Sequence, residues 1–227
     1  MYRFLLLIIM SSTILTACQK ELEFDTPPGS GGGTGGGGTT GTDYQPVTAA
    51  SEWNYVSTGP TGSYKVVSIG TDSLIGGKSF YRFNNVTPAG TSRSYINKES
   101  GVYTTYASGT TSGGITIPNL TLIYLKDAAV GTTWTNVISY MGTASNHKYT
   151  VTAKGLTKTV LTKSYSNVIE LGYALSVANP LGGPDIQVGE GKYYFAKGVG
   201  FIESDLMSGF GPAVLIDTTR LSSYTIN

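Results

Sequence analysis

Histidine and cysteine are nearly absent: the 227 residues hold one of each, His147 and Cys18. Zinc sites built from three or four His or Cys ligands are therefore excluded, and any Ser-His-Asp relay would have to run through His147. A single cysteine cannot close a disulfide within the chain, so packing must carry the fold. Charge is scarce as well, at 13% of residues, with 15 basic against 14 acidic side chains. No basic stripe is present, which removes the electrostatic reason to bind nucleic acid. Beyond the first fifteen residues no apolar run is long enough to cross a bilayer as a helix. Acidic runs of the Asp-x-Asp-x-Asp kind are missing too; Asp185 stands alone, and no calcium loop is expected.

Catalytic motifs are equally thin. No Gly-x-Ser-x-Gly elbow occurs. Gly77-Lys78-Ser79 ends like a phosphate loop, but the leading glycine would fall at Asp72, so a hairpin is the better reading. Ser145-Asn146-His147-Lys148 spells Ser-x-x-Lys without the helix that would present such a nucleophile. Glu203 and Asp205 sit two apart on one strand face, with Glu190 across the preceding turn. Glycoside hydrolysis needs two carboxyls across a cleft, and carboxylates at a strand end read as solvated. No catalytic residue, metal ligand or cofactor is assigned, and the chain is read as non-enzymatic.

What is present begins at the N terminus. Met1–Ala17 carries Arg3, an apolar run from Phe4 to Met10 continued by Ile14 and Leu15, and small residues at its end. This is the layout of a secretory signal peptide. Leu15-Thr16-Ala17-Cys18 resembles the lipobox of bacterial lipoproteins, which implies acyl chains of the palmitate class on Cys18 and a lipid bilayer as the anchor's partner. The other reading is an ordinary signal peptide with an incidental cysteine. Lys20, Glu21 and Glu23 follow, with Leu22 between the acidic pair. They resemble the export signal of Bacteroidota-type lipoproteins, which implies the outer membrane, facing the cell exterior; the alternative is a plain solvated charge cluster. Gly29–Gly41 is glycine at nine of thirteen positions. Such a stretch has nothing to bury and much backbone entropy to lose, so residues 18–45 are read as a disordered tether. Residues 46–227 are then a single β domain.

Past Pro46, Tyr, Thr, Val and Ile dominate, Gly and Asn-Asp-Ser clusters recur, and no apolar period of 3.6 is sustained. Val168–Val177 is the clearest strand, with Ile169, Leu171, Tyr173, Leu175 and Val177 on one face. Asn146–Ala153 alternates with His147 on the same face as Tyr149 and Val151, which makes it a structural or surface histidine. Tyr193–Phe201 alternates with a bend at Gly198 and Gly200. Ser63–Ile69 and Lys78–Asn84 pair across Gly70–Gly77, and Ser94–Ile96 pairs with Val102–Tyr106 across a five-residue turn. Val47–Trp53 and Leu125–Val130 are candidates for a turn or two of helix. About a dozen short strands joined by tight turns imply an antiparallel sheet. Its expected core includes Ile169, Leu171, Tyr173, Phe195, Val199 and Phe201.

Pro46 followed by Ser51-Glu52-Trp53-Asn54-Tyr55 resembles the opening of an uncharacterised group of Bacteroidota-type lipoproteins. Tyr124-Leu125 with Ala128 and Gly131-Thr132-Thr133-Trp134, Asn167-Val168-Ile169, Tyr193–Gly200 and Leu221-Ser222-Ser223-Tyr224 match its later motifs. The resemblance implies an all-β half-barrel or open barrel, like that of lipoprotein carriers, and supplies no catalytic residue.

Sixteen Tyr and two Trp could line a groove for an apolar ligand or a glycan, since flat rings stack while polar tips bond. Tyrosine is also a good strand residue in its own right. Two expectations follow: a ligand-binding lipoprotein, or a structural or interaction module of the cell surface with a filled interior. Asp72-Ser73-Leu74 and Asp217-Thr218-Thr219 resemble the O-glycosylation acceptor of Bacteroidota-type exported proteins, with Ser73 and Thr218 as the acceptors.

Overall fold

The computed structural model describes residues 42–59, 62–112, 115–117, 119–140, 143–208 and 214–227. The expected signal peptide, Cys18, Lys20, Glu21, Glu23 and nearly all of the expected tether lie outside them. Within them, β1 (Glu52–Ser57), β2 (Tyr64–Ile75), β3 (Lys78–Thr87), β4 (Gly90–Glu99), β5 (Val102–Ala107) and β8 (Leu120–Lys126) make one antiparallel meander. A second meander contains β9 (Thr133–Tyr140), β10 (Thr143–Val160), β11 (Lys163–Val177), β12 (Ile186–Ala196), β13 (Gly200–Ser208) and β14 (Val214–Thr225). A separate hairpin of β6 (Thr110–Ser112) and β7 (Ile115–Ile117) interrupts the connection from β5 to β8.

The two meanders join where the first strand meets the last, with Glu52 opposite Thr225 and Ser57 opposite Thr219. The result is one 12-stranded sheet in the order β8-β5-β4-β3-β2-β1-β14-β13-β12-β11-β10-β9. It curls until its two edge strands, β8 and β9, face one another, which gives a nearly closed barrel. The all-β antiparallel expectation of about a dozen strands holds. The two expected helical turns do not form: Leu125 lies in strand β8, Trp53 lies in β1, and no helix occurs among the described residues.

Local sequence explains the strands. On β11, Ile169 and Leu171 are fully buried and Leu175 and Val177 nearly so, as strict two-residue alternation requires. Two turns are tighter than expected. Gly76 (φ +57°) and Gly77 (φ +78°) form a two-residue turn that leaves Ile75 opposite Lys78. Ser100 (φ +49°) and Gly101 (φ +76°) do the same between Glu99 and Val102. Two successive left-handed residues match the twist of the flanking strands, so each hairpin closes at once and both strands lengthen.

Tyr193–Phe201 is a turn rather than one bent strand. The chain reverses after Ala196, where the Val199 amide donates to the Ala196 carbonyl at 3.1 Å, and Phe195 and Phe201 become cross-strand partners. Hairpin β10–β11 is long, and register shifts between Val151 and Lys158 bend its tip back over β12–β14. There Lys158 reaches Glu203 at 2.7 Å, and the Tyr165 ring meets Tyr224 at 6.3 Å.

The packed unit also begins earlier than Pro46. Tyr44 is 2% exposed and sits among Tyr103, Leu125, Ile169 and Phe195, so Asp43–Gln45 belong to the core rather than to the tether.

Candidate functional site: an aromatic belt and its stopper

Strand directions define two ends of the barrel. At one lie the N-terminal strap Asp43–Pro46 and the β12–β13 turn; at the other lie the β3–β4 turn, the start of β10 and the end of β13. The strap ties opposite walls together. Gly198 donates its amide to the Asp43 carbonyl at 2.7 Å, the Tyr44 amide donates to Tyr103 Oη at 3.1 Å, and Tyr124 Oη donates to Gln45 Oε1 at 3.4 Å. Lys98 forms a salt bridge with the Asp43 carboxylate, and Tyr103 Oη donates to it at 2.5 Å. Burial alone would push that carboxyl up, but these donors outweigh it and hold Asp43 below the usual carboxylate range. Tyr44, Leu125, Ile169, Leu171 and Phe195 fill this end.

Toward the other end the inner wall carries a row of aromatic rings, one from each of seven strands. Trp134 of β9 stacks on Tyr149 of β10 at 5.4 Å and 11°. Tyr149 meets Tyr173 of β11 at 5.1 Å, and Tyr173 meets Tyr193 of β12 edge-on at 5.7 Å. The row continues through Phe201 of β13 at 6.4 Å to Tyr55 of β1 at 5.5 Å and Tyr64 of β2 at 4.9 Å. Register produces it. Tyr149 lies directly opposite both Trp134 and Tyr173, so all three rings point inward at one level.

Five of the seven rings keep accessible surface, while Trp134 and Tyr55 are buried. Tyr64, Tyr149, Tyr173, Tyr193 and Phe201 are half-buried, whereas Leu125, Ile169 and Leu171, nearer the strap, are fully buried. The inner wall is therefore most tightly packed near the strap and less so along the belt, and beyond the belt Leu175, Val177 and Val188 form another buried cluster. Burial pushes the Tyr149 hydroxyl up to about 12 and raises Tyr55, Tyr64, Tyr173 and Tyr193 further, so all remain protonated near neutrality. Asp217 adds to the rise at Tyr64 and Tyr193, and is itself held by Ser57 Oγ at 2.8 Å and the Gly59 amide at 2.9 Å.

His147 continues the belt from Tyr173, ring to ring at 5.9 Å. Its Nδ1 lies 2.8 Å from Tyr173 Oη and its Nε2 3.1 Å from Ser145 Oγ, which donates to the Ile138 carbonyl at 3.2 Å. With the serine proton committed to Ile138, the pattern assigns a neutral imidazole: Nε2–H donates to Ser145, and Nδ1 accepts from Tyr173. An activated serine would need the opposite arrangement, with the hydroxyl donating to the imidazole. Burial brings the His147 pKa down to about 4.

Among the described residues, the seam between β8 and β9 has no ladder of backbone bonds. Instead the Asn136 carboxamide accepts from the Ile123 amide at 3.1 Å and donates to the Ile123 carbonyl at 2.9 Å, while Trp134 Nε1 donates to that carbonyl at 2.8 Å. One side-chain amide thus takes the place of a strand's peptide group, and a belt residue helps to pin the seam. Sequence reading missed both roles, and nothing in the local pattern around Asn136 distinguishes it from a surface asparagine.

Other expected sites are dispersed. Glu203 is 5% exposed, held by Lys158 at 2.7 Å and by Arg220 Nε at 3.1 Å, so it is a buried structural acid rather than a solvated one. Asp205 pairs with Arg220 at 2.5 Å, and Glu190 accepts from Gln187 at 3.0 Å. Ser73 is half-buried in β2, opposite Phe80, and Thr218 is half-buried in β14, its amide donating to Thr58 Oγ1 at 2.9 Å. A groove of about 380 Å³ between Val56, Lys65, Val86 and Pro88 is widely open to solvent, too shallow to enclose a ligand. Among the described residues no three His, Cys, Asp or Glu side chains gather as metal ligands.

No family model matches the sequence, and no curated protein does. Solved structures do. A candidate lipoprotein of Parabacteroides distasonis superposes with a TM-score of 0.53 at 12% identity, covering 82% of this chain and 100% of the other. A candidate exported protein of Bacteroides fragilis with the YmcC-like fold gives 0.51 at 10% identity, covering 79% and 97%. At such identities the likeness is one of fold.

Proposed function

We propose that this chain is a membrane-anchored lipoprotein of the cell envelope, held by acylated Cys18 on the outer membrane and facing the exterior, whose β domain binds an apolar or glycan ligand without chemically altering it. The observation that carries the binding reading is the aromatic belt, which keeps accessible surface inside a sheet otherwise closed by packing. Flat rings with polar tips suit such ligands. The neutral, fully engaged His147 supports a role without catalysis. For the address, the lipobox resemblance is joined by the description of the two structural neighbours as candidate lipoprotein or exported protein.

Native mass spectrometry of protein purified from its own cells tests the binding reading. A small molecule should remain bound to the wild type and be lost from Tyr149→Ala. An empty wild-type domain would instead support a structural or interaction module. Cys18→Ser should release a folded protein from membranes. Alanine at Lys20, Glu21 and Glu23 should leave it lipidated but shielded from protease added to intact cells. Unchanged shaving of that variant would remove the export signal from the proposal and leave the anchor.

A further inference from the structure

We infer that the ligand is uncharged and largely apolar, with a carbonyl or ether oxygen, and that it lies on the wall formed by Trp134, Tyr149, Tyr173 and Tyr193. The inference rests on the ligand-binding reading above and narrows it to one chemical class. The polar inventory of the inner wall decides it. A sugar ring presents several hydroxyls, each asking for a donor and an acceptor, and sites that hold one supply convergent polar groups. Here the side chains able to serve both roles are already engaged. Asn136 is bound to the Ile123 backbone, Gln45 to Tyr124, and His147 to Ser145 and Tyr173. Asp217 is held by Ser57 and Gly59. On this wall the Tyr173 proton goes to His147, so the Tyr149 and Tyr193 hydroxyls remain as its polar tips, and a protonated phenol is foremost a donor to a neutral acceptor.

Charge points the same way. The Asp217 carboxylate lies close enough to Tyr64 and Tyr193 to raise both hydroxyls, and it would repel an anion seated there. Lys98 is paired with Asp43, and Lys154 and Lys197 with Asp127, all at the strap end. Lys126 lies over the Trp134 ring, 5.5 Å from its centroid, at the strap-end terminus of β8. The strap closes that end, which leaves the opposite mouth as the way in.

Two dyes of nearly the same shape separate charge from shape: N-phenyl-1-naphthylamine is neutral, and 8-anilinonaphthalene-1-sulfonate carries a sulfonate. Both are titrated into the chain from residue 18 onward with Cys18→Ser, so that no acyl chain competes, and maltohexaose is added as the sugar probe. The neutral dye should bind saturably and quench tryptophan emission. The sulfonate should bind at least about tenfold more weakly, and a neutral monoacylglycerol should displace the first dye where maltohexaose does not. Tyr149→Ala should weaken the neutral dye about fivefold or more, and Tyr149→Phe, which keeps the ring, about twofold. Equal binding of the two dyes, or binding of maltohexaose, overturns the ligand class and leaves the binding reading standing. Absence of binding by all probes, in a protein whose thermal melt is cooperative, overturns both.

Discussion

His147 ties stability to pH through its burial. The folded protein holds it neutral with a pKa of about 4, while the unfolded chain binds the proton near 6.5. Between those values the unfolded state carries more protons, so stability is complete above about pH 6.5 and falls as pH drops toward 4. The loss should approach about 3 kcal/mol, and His147→Gln should flatten the profile across that window. Urea denaturation at a series of pH values measures it; a wild-type profile as flat as the variant's would mean that the imidazole is not buried neutral. Leu171 is a second probe. It is fully buried on the inner face of β11, so Leu171→Asp should cost about 4 kcal/mol or more, because an unpaired charge would replace a packed methyl pair. A variant melting like wild type would place the strand in the wrong register.

At the scale of elements, the alternation of β11 was readable because one face is apolar at every second residue from Ile169 to Val177. The hairpins were readable too, but not their tightness, because Ser100 gives no sign in sequence that it will adopt a left-handed backbone. The turn at Gly198 hid behind an unbroken alternation from Tyr193 to Phe201, which a hairpin reproduces when its two strands present the same face. The two tryptophans and sixteen tyrosines left a lined groove and ordinary strand tyrosines equally readable. The belt itself depends on register across strands distant in sequence, and that is set by pairing geometry rather than by local pattern. Gly191 shows the tolerance of that geometry. A Cβ there would lie 2.3 Å from the Asp205 carbonyl on β13, so Gly191→Ala should lower stability by about 2–3 kcal/mol in thermal denaturation. Asn136→Ala should be milder, at about 1–2 kcal/mol, since it orphans the Ile123 amide while Trp134 still serves the carbonyl. Hydrogen exchange at Ile123 should quicken in that variant.

Across the whole molecule, the strands nearest the two ends of the described chain lie side by side in the middle of the sheet, and the mid-sequence seam is its only unladdered line among the described residues. Pairings such as Glu52 with Thr225 span almost the entire domain, so folding should be slow for a protein of this size. The seam falls at the connection between β8 and β9. A circular permutant opened at Val130, with the native termini linked, should therefore keep the fold, as judged by circular dichroism and a cooperative melt. Tyr44→Ala should reduce stability by about 3 kcal/mol, since it empties the strap's place in the core.

The strap has a mechanical consequence. A pull arriving from the N-terminal side reaches Asp43 before any strand. It meets there a set of contacts to Lys98, Tyr103 and Gly198. Strand β1 is not an edge strand, so it cannot be peeled from the sheet in the way a terminal edge strand can. Tension should therefore extract the strap first, as a short early step in a force–extension trace, and unclose the filled end of the barrel while the sheet is still whole. A domain held at its N-terminal end on a moving surface would carry its own strain gauge.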